Sequence, residues 1–250
     1  MSKIRDAMRK QQDGDAWRPE PTPEPRPEAR DVERPRLTLP ATSPDVLAYY
    51  EAVGKQIEVS LGATSTRVLT FTGAVGGEGS STVVAQYAEM LSRRGERVLL
   101  VDGNPRHPSQ HQLFGVPDSP GLAEWVSGTA DPVSVVHLSG FPNLDVVPLG
   151  RCADRSEAER ISESLGEFQA EFAASYDYVL VDADFVGSPF SSGAAIHGSD
   201  GVVLVLRAGR TNRQIASRAL DTVRQIGGNV LGVILNRREF PIPDFIYRHL

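Results

Sequence analysis

Six apolar runs of strand length alternate with stretches of helical periodicity over most of this chain, and that alternation leaves few architectures open. The runs span 68–72, 97–102, 144–148, 178–182, 201–206 and 230–235, and they are rich in valine and leucine without strict alternation. Helical patterns fill 81–93, 121–126, 155–174 and 212–226. Strands that are apolar on both faces belong to a parallel sheet covered on each side by its crossover helices. The expected fold is therefore three-layer α/β with a mostly parallel sheet, occupying residues 45–240. One further helix precedes the first strand: Val46, Leu47, Tyr50, Val53 and Ile57 share a face, and Asp45 is its expected cap.

Before residue 45 the composition changes. Proline takes every second position from Pro19 to Pro27, amid charges of both signs. So little apolar surface does not offset the entropy of ordering, and residues 1–44 are expected to form a disordered, polyproline-like tether. Within it, residues 1–12 place Ile4 and Met8 on one helical face, which fits a docking element or a frayed terminus. Residues 241–250 are expected to form a short C-terminal tail.

The 250 residues, 40% of them hydrophobic, supply one sizeable core. A net charge of -6 argues against nucleic acid as a partner held by general electrostatics. Cys152 is the single cysteine, so no internal disulfide forms, and the start Met-Ser-Lys-Ile-Arg-Asp lacks the apolar stretch of a secretory signal. The expected location is the cytoplasm. No stretch reaches the roughly 20 apolar residues of a membrane span, so membrane association is expected to run through a partner.

In a parallel sheet ligands gather at the carboxyl ends of the strands. After the first run comes Gly76-Gly-Glu-Gly-Ser-Ser-Thr82, a glycine-rich turn opening a helix, where backbone N–H groups can approach a phosphate. The same turn also serves as a plain strand-to-helix connection. After the second run comes Asp102-Gly-Asn-Pro-Arg106, and after the fourth Asp182-Ala-Asp184. Asp102 and Asp182 are each placed to coordinate Mg²⁺ through water or to cap the next helix. Three such strand ends in one sheet point to a phosphate site. Elsewhere, His107 and His111 have four-residue spacing but enclose Pro108, a poor metal pair, while Trp125 and Phe114 are expected in the core.

From Tyr49 to Arg237 the sequence resembles the P-loop domain of the CpsD/CapB group of bacterial protein-tyrosine kinases, relatives of the MinD/ParA ATPases. The stretch TFTGAVGGEGSSTVVAQYAEMLSRRGERVLLVDGNPRHPSQHQLFG is similar to that family's Walker A and Walker A' segments, and YDYVLVDAD, GVVLVLRAGRT and NVLGVILNR follow in order. The resemblance implies a P-loop NTPase fold and ATP or ADP with Mg²⁺ as ligand. It places Gly77, Gly79, Ser80, Ser81 and Thr82 in the P-loop, with Ser81 as a magnesium ligand alongside Asp102 and Asp182. Arg106 joins Asp102 and Asp182 in the catalytic set, and Arg207 and Asn236 face the base or ribose. The implied role is exopolysaccharide or capsule biosynthesis beside a membrane-anchored chain-length or co-polymerase protein, with self-association through the first helix.

The departures fall on the catalytic centre. Ser80 stands at the P-loop lysine, Asn104 at the second Walker A' aspartate, and Ala183-Asp184-Phe185 where Thr-Pro-Pro is usual. The arginines of the helix motif Glu-x-x-Arg-x-x-Arg become Gly54 and Ile57 after Glu51, and Tyr247 alone represents the C-terminal tyrosine cluster. Lys3, Lys10 and Lys55 are the only lysines, so no lysine later in the chain replaces the missing one. A charge-assisted contact contributes roughly 1.5–3 kcal/mol, so its loss weakens nucleotide binding about ten- to a hundredfold and phosphoryl transfer further. The readings open from sequence are a degenerate regulatory subunit, a working ATPase or tyrosine autokinase of the same pathway, and a MinD/ParA-type positioning ATPase.

Overall fold

The computed structural model describes residues 38–62, 67–188, 190 and 193–237. The expectations for residues 1–37, for 241–250 and for Tyr247 lie outside these.

Seven strands form one sheet: β1 (Arg67–Gly73), β2 (Val98–Gly103), β3 (His137–Leu138), β4 (Leu144–Val147), β5 (Tyr178–Ala183), β6 (Gly201–Arg207) and β7 (Val230–Asn236). Their order is β3-β4-β2-β5-β1-β6-β7. All neighbours run parallel except β3, which pairs antiparallel with β4. The sheet is thus mostly parallel, as the apolar runs require. The exception, β3, is two residues long and carries no periodicity to read.

Helices α1 (Pro44–Leu61) and α2 (Ser80–Arg93) lie on one face. There Tyr50, Ile57, Val84, Tyr87 and Leu91 pack against Leu69, Phe71, Leu100 and Leu180. On the other face α4 (Leu122–Val126) and α5 (Arg155–Phe172) set Leu122, Ile161, Leu165 and Phe168 against Leu99, Val101, Val179 and Val181. Helices α6 (Gly193–His197) and α7 (Arg213–Gln225) extend that layer over Val202 and Leu204. Successive strand residues therefore feed opposite layers, with Leu100 facing α2 and Leu99 facing α5. Phe114 is buried at the end of the short helix α3 (Gln110–Phe114), and Trp125 is half-buried with its ring edge-on to Phe168 at 5.0 Å.

Side-chain caps set the starts of helices α1, α5 and α7. Asn212 caps α7 by accepting from Ile215 N–H at 2.9 Å, and Asp154 caps α5 by accepting from Glu157 N–H at 2.9 Å. The expected cap of α1 needs correction. Ser43, not Asp45, is the cap: its hydroxyl accepts from Val46 N–H at 3.4 Å. Pro44 makes this the favoured start, because its fixed φ suits the first helical position and it has no N–H to leave unpaired. Asp45 instead sits in the first turn, where a negative charge suits the helix dipole.

Among the described residues, some that precede the helix also contact the body. The N–H groups of Thr38 and Leu39 donate to the Leu113 carbonyl at 3.1 and 3.0 Å, and the Thr42 hydroxyl donates to Glu89 at 2.7 Å.

Gly54 is buried where α1 crosses α2, and a Cβ there would lie 3.4 Å from the Tyr87 hydroxyl and 3.6 Å from Met90 Cε. A Cβ fits here at ordinary contact, but the longer arginine of the resembling family would have to displace the ends of Tyr87, Arg94 and Met90. Overpacking of this kind costs about 1–3 kcal/mol, which for a domain of this size lowers Tm by about 2–12 °C. Gly54→Arg is expected to show that loss in thermal circular dichroism, with exposed Glu51→Ala unchanged; equal melting of the two would mean that α1 does not pack here.

Candidate functional site

Register brings the candidate residues together. Asp102 of β2 lies directly across from Asp182 of β5, and Asp182 pairs in turn with Phe71 of β1, two residues before the strand enters the glycine-rich loop. Three adjacent central strands thus end in one place, as the switch-point geometry of α/β sheets favours for ligands.

The loop from Ala74 to Gly79 turns through two left-handed glycines, Gly77 at φ +84° and Gly79 at φ +87°. Gly79 is also the cap residue of α2 and offers no side chain to the first-turn N–H groups, leaving them for an anion. The loop is held from within by Glu78, which is 2% exposed. Its carboxylate accepts from the N–H groups of Ala74 and Val75, from Arg207 N–H at 3.4 Å and from the Thr211 hydroxyl. Asn236 adds a bond from its amide to the Glu78 carbonyl at 2.8 Å. The loop keeps its shape through the protein's own bonds.

Facing the loop is a cleft of about 220 Å³. Gly76, Gly77, Gly79, Ser80 and Ser81 form one wall, and Asn104, Arg106, His107, Asp184 and Phe185 the other. Asp102 and Asp182 lie beneath it, fully buried. Thr82 stands in the first turn of α2. Arg207 and Asn236 are not on the cleft wall; both act on the loop through Glu78, and Asn236 also grips Gly79, where a Cβ would come within 2.5 Å of its amide nitrogen.

The two buried carboxyls are treated unequally. Asp102 accepts from Ser109 N–H at 2.8 Å, Gln110 N–H at 2.9 Å and Asn104 N–H at 3.2 Å, so it caps α3. Asp182 accepts from Gln110 Nε2 at 2.8 Å, and the Ser81 side chain stands beside its carboxyl; Oδ1 takes no hydrogen bond of ordinary geometry. The same Gln110 amide donates to the Ser81 carbonyl at 3.2 Å, joining β5 to the start of α2. Burial raises the pKa of Asp102, against which its backbone donors work. Burial and then the Asp102 charge push Asp182 up to about 8, with Gln110 and Ser81 opposing. Asp102 has the donors, so the proton of the pair rests on Asp182.

The loop glycines and the uncapped α2 terminus fit a phosphate chain. The unpartnered Asp182 Oδ1 beside Ser81 fits a divalent cation or its water shell. Charge is what the cleft lacks. Ser80 brings none, and the Arg106 guanidinium lies 3.6 Å from Asp184 and 5.3 Å from the centre of the Phe185 ring. His107 and His111 form no metal cluster among the described residues. Cys152 is half-buried with its thiol pKa raised by burial, which makes it a poor nucleophile.

Sequence reasoning passed over Glu78 and Gln110. A glutamate inside a loop of glycines is itself a signal, because the donors nearest to it in the chain are backbone N–H groups. Gln110 carries no such mark; its role follows from the turn that Asp102 caps.

Comparison with known proteins agrees with this architecture. The family described as cellulose biosynthesis protein BcsQ matches residues 66–229. Tyrosine-protein kinase CpsD of Streptococcus agalactiae serotype III (strain NEM316) is 27% identical over 190 residues, covering 76% of this chain and 81% of that protein. Succinoglycan biosynthesis transport protein ExoP of Rhizobium meliloti (strain 1021) is 27% identical over 182 residues, covering 72% of this chain and 23% of that protein. The kinase domain of Escherichia coli tyrosine kinase ETK superposes with a TM-score of 0.74 at 20% identity, covering 88% of each chain. Among the described residues no helix is long and apolar enough to cross a membrane.

The raised Asp182 pKa has a sign that can be measured. Below the ordinary carboxylate range both folded and unfolded chains hold the proton, and burial carries no charge penalty. As pH rises toward about 8 the folded chain keeps a proton that the unfolded chain releases, so stability falls. Asp182→Asn keeps the acceptor for Gln110 and removes the charge. In metal-free buffer it is expected to raise Tm at pH 8 by about 4–8 °C, from about 2 kcal/mol, and by much less at pH 5. A gain independent of pH, or a loss at pH 8, would show that Asp182 is not the strained carboxyl.

Proposed function

Because the chain belongs to the family of cellulose biosynthesis protein BcsQ, we propose that it is a kinase-like regulatory subunit of exopolysaccharide or capsule assembly that binds ADP or ATP with Mg²⁺ weakly and does not transfer phosphate. One observation carries this reading. The phosphate cradle is kept whole, down to the Glu78 clasp beneath it, while the position that should face the phosphates with an ammonium is Ser80. Phosphoryl transfer depends on stabilising charge that develops on the transferring group. Binding depends more on the N–H groups of the loop, which remain.

In this reading the backbone of Gly77, Gly79, Ser80, Ser81 and Thr82 holds the phosphates. Ser81 and Asp182 hold the cation, which when bound neutralises phosphate charge. Asp102 contributes by fixing α3, so that Gln110 keeps Asp182 and the Ser81 carbonyl in place. Arg106 is the basic group nearest the phosphates, and Arg207 and Asn236 hold the outer side of the loop toward the base. The match to 23% of ExoP supports a partner: in that protein the corresponding region is one part of a longer transport protein. We assign this chain to the cytoplasmic face of the membrane, bound to a membrane-anchored chain-length or co-polymerase protein. Self-association by the arginine motif is disfavoured, because Gly54 and Ile57 are buried against α2.

Isothermal titration with Mg-ADP tests the reading. Wild type is expected to bind weakly, and Ser80→Lys about tenfold more tightly, the equivalent of about 1.4 kcal/mol. Gly79→Val is expected to abolish binding, since the left-handed φ and the Asn236 amide leave no space for a side chain. Robust phosphotyrosine formation by the wild type with labelled ATP would overturn the inactive assignment. Undetectable binding by both wild type and Ser80→Lys would overturn the nucleotide assignment.

A further inference from the structure

We propose that Asp184 sets the anion affinity of the cleft by holding Arg106 out of the phosphate position, an inference that rests on reading the loop as a phosphate cradle. Asp184 is 4% exposed and lines the same cleft as the loop. It is rigidly held. Its Oδ1 accepts from Phe185 N–H at 2.8 Å, its Oδ2 accepts from the Ser188 hydroxyl, and its carbonyl accepts from the Thr72 hydroxyl at 2.7 Å. The remaining side of Oδ2 faces Arg106, whose Nε is 3.6 Å away.

Arg106 is held from a second direction. Its guanidinium lies over the Phe185 ring at 5.3 Å, and that ring lies over Gly76, where a Cβ would be 3.7 Å from it. Arg106 nevertheless remains 40% exposed and reaches the cleft, so its tether is electrostatic rather than steric. A carboxylate in this position acts twice against an incoming anion. It repels the phosphate directly, and it competes with the phosphate for the strongest cation on the cleft wall. With Ser80 opposite, nothing on the loop side offsets it. The pairing of Asp184 with Arg106 makes the cleft close to neutral and selects against highly charged ligands, so a diphosphate is disfavoured less than a triphosphate.

Asn at 184 separates these effects from folding. It can accept from Phe185 N–H and donate to the Ser188 hydroxyl while removing the charge. The probes are inorganic pyrophosphate, which has no base to recognise, and Mg-ADP, titrated calorimetrically into the full chain. Asp184→Asn is expected to bind pyrophosphate about tenfold more tightly than wild type, and adding Arg106→Gln is expected to remove that gain. Phe185→Leu, which loosens Arg106 without touching Asp184, is expected to give a smaller gain of about threefold and keeps the test alive should the asparagine variant fold poorly. Equal or weaker pyrophosphate binding by folded Asp184→Asn, or a gain that survives Arg106→Gln, would overturn the inference. If Mg-ADP binds wild type and Asp184→Asn equally, the nucleotide reading stands and this inference falls. If pyrophosphate tightens while Mg-ADP binds no variant, the inference stands and the nucleotide reading falls.

Discussion

Two carboxyl groups that end adjacent parallel strands in register, Asp102 and Asp182, determine how the rest of the cleft is arranged. Both are fully buried, and two neighbouring buried carboxylates cannot both ionise at small cost. The fold resolves this by giving the donors to one of them. Asp102 collects three N–H groups from the loop that follows its own strand, and that loop must turn at Asn104 and start α3 at Gln110 to supply them. The same turn carries the Gln110 amide to Asp182 and to the Ser81 carbonyl. The position of α3, the start of α2 and the protonation of Asp182 therefore share one cause.

A second constraint acts on the opposite side of the glycine loop. Phosphate loops commonly close around their ligand, but here the loop closes around Glu78, which binds the loop's own N–H groups and reaches the β6–α7 connection through Arg207 and Thr211. Asn236 ties the end of β7 to the same point. Four bonds to one buried carboxylate pre-organise the cradle, so less ordering cost falls on the ligand when it binds. This also separates shape from charge. The groups that hold the loop differ from those that would face phosphate, so the exchange of a lysine for Ser80 removes charge and leaves the cradle standing.

The sheet was legible because its strands are long and apolar on both faces. β1, β2, β4, β5, β6 and β7 match the apolar runs to within one residue at each end, whereas β3, of two residues, depends on pairing that no local pattern encodes. The short helices α3 and α6, five residues each, were likewise not read from the sequence. At the site, strand ends pointed to Asp102 and Asp182, and the glycines pointed to the loop. The sequence left open whether the aspartates cap helices or face a ligand, and the geometry separates them: Asp102 caps α3, and Asp182 keeps an unpartnered oxygen. Gln110 and the hold of Asp184 on Arg106 arise from residues brought together across 72 and 78 positions, a distance no local pattern spans.

Asp182 also bears on whether the cleft is a relic. A buried carboxyl oxygen without a partner is a cost that an apolar or amide side chain at the end of β5 would avoid. Scaffolding alone would not need it, since β5 is already paired on both sides by β1 and β2 and packed into both layers. A cation, or the water shell of one, reaching it past Ser81 would complete the carboxyl. In the proposed reading a bound cation would relieve that cost, so that occupancy would register in the fold. Phosphoryl transfer depends on stabilising charge that Ser80 does not bring to the loop, which is why the proposed function stops at nucleotide binding.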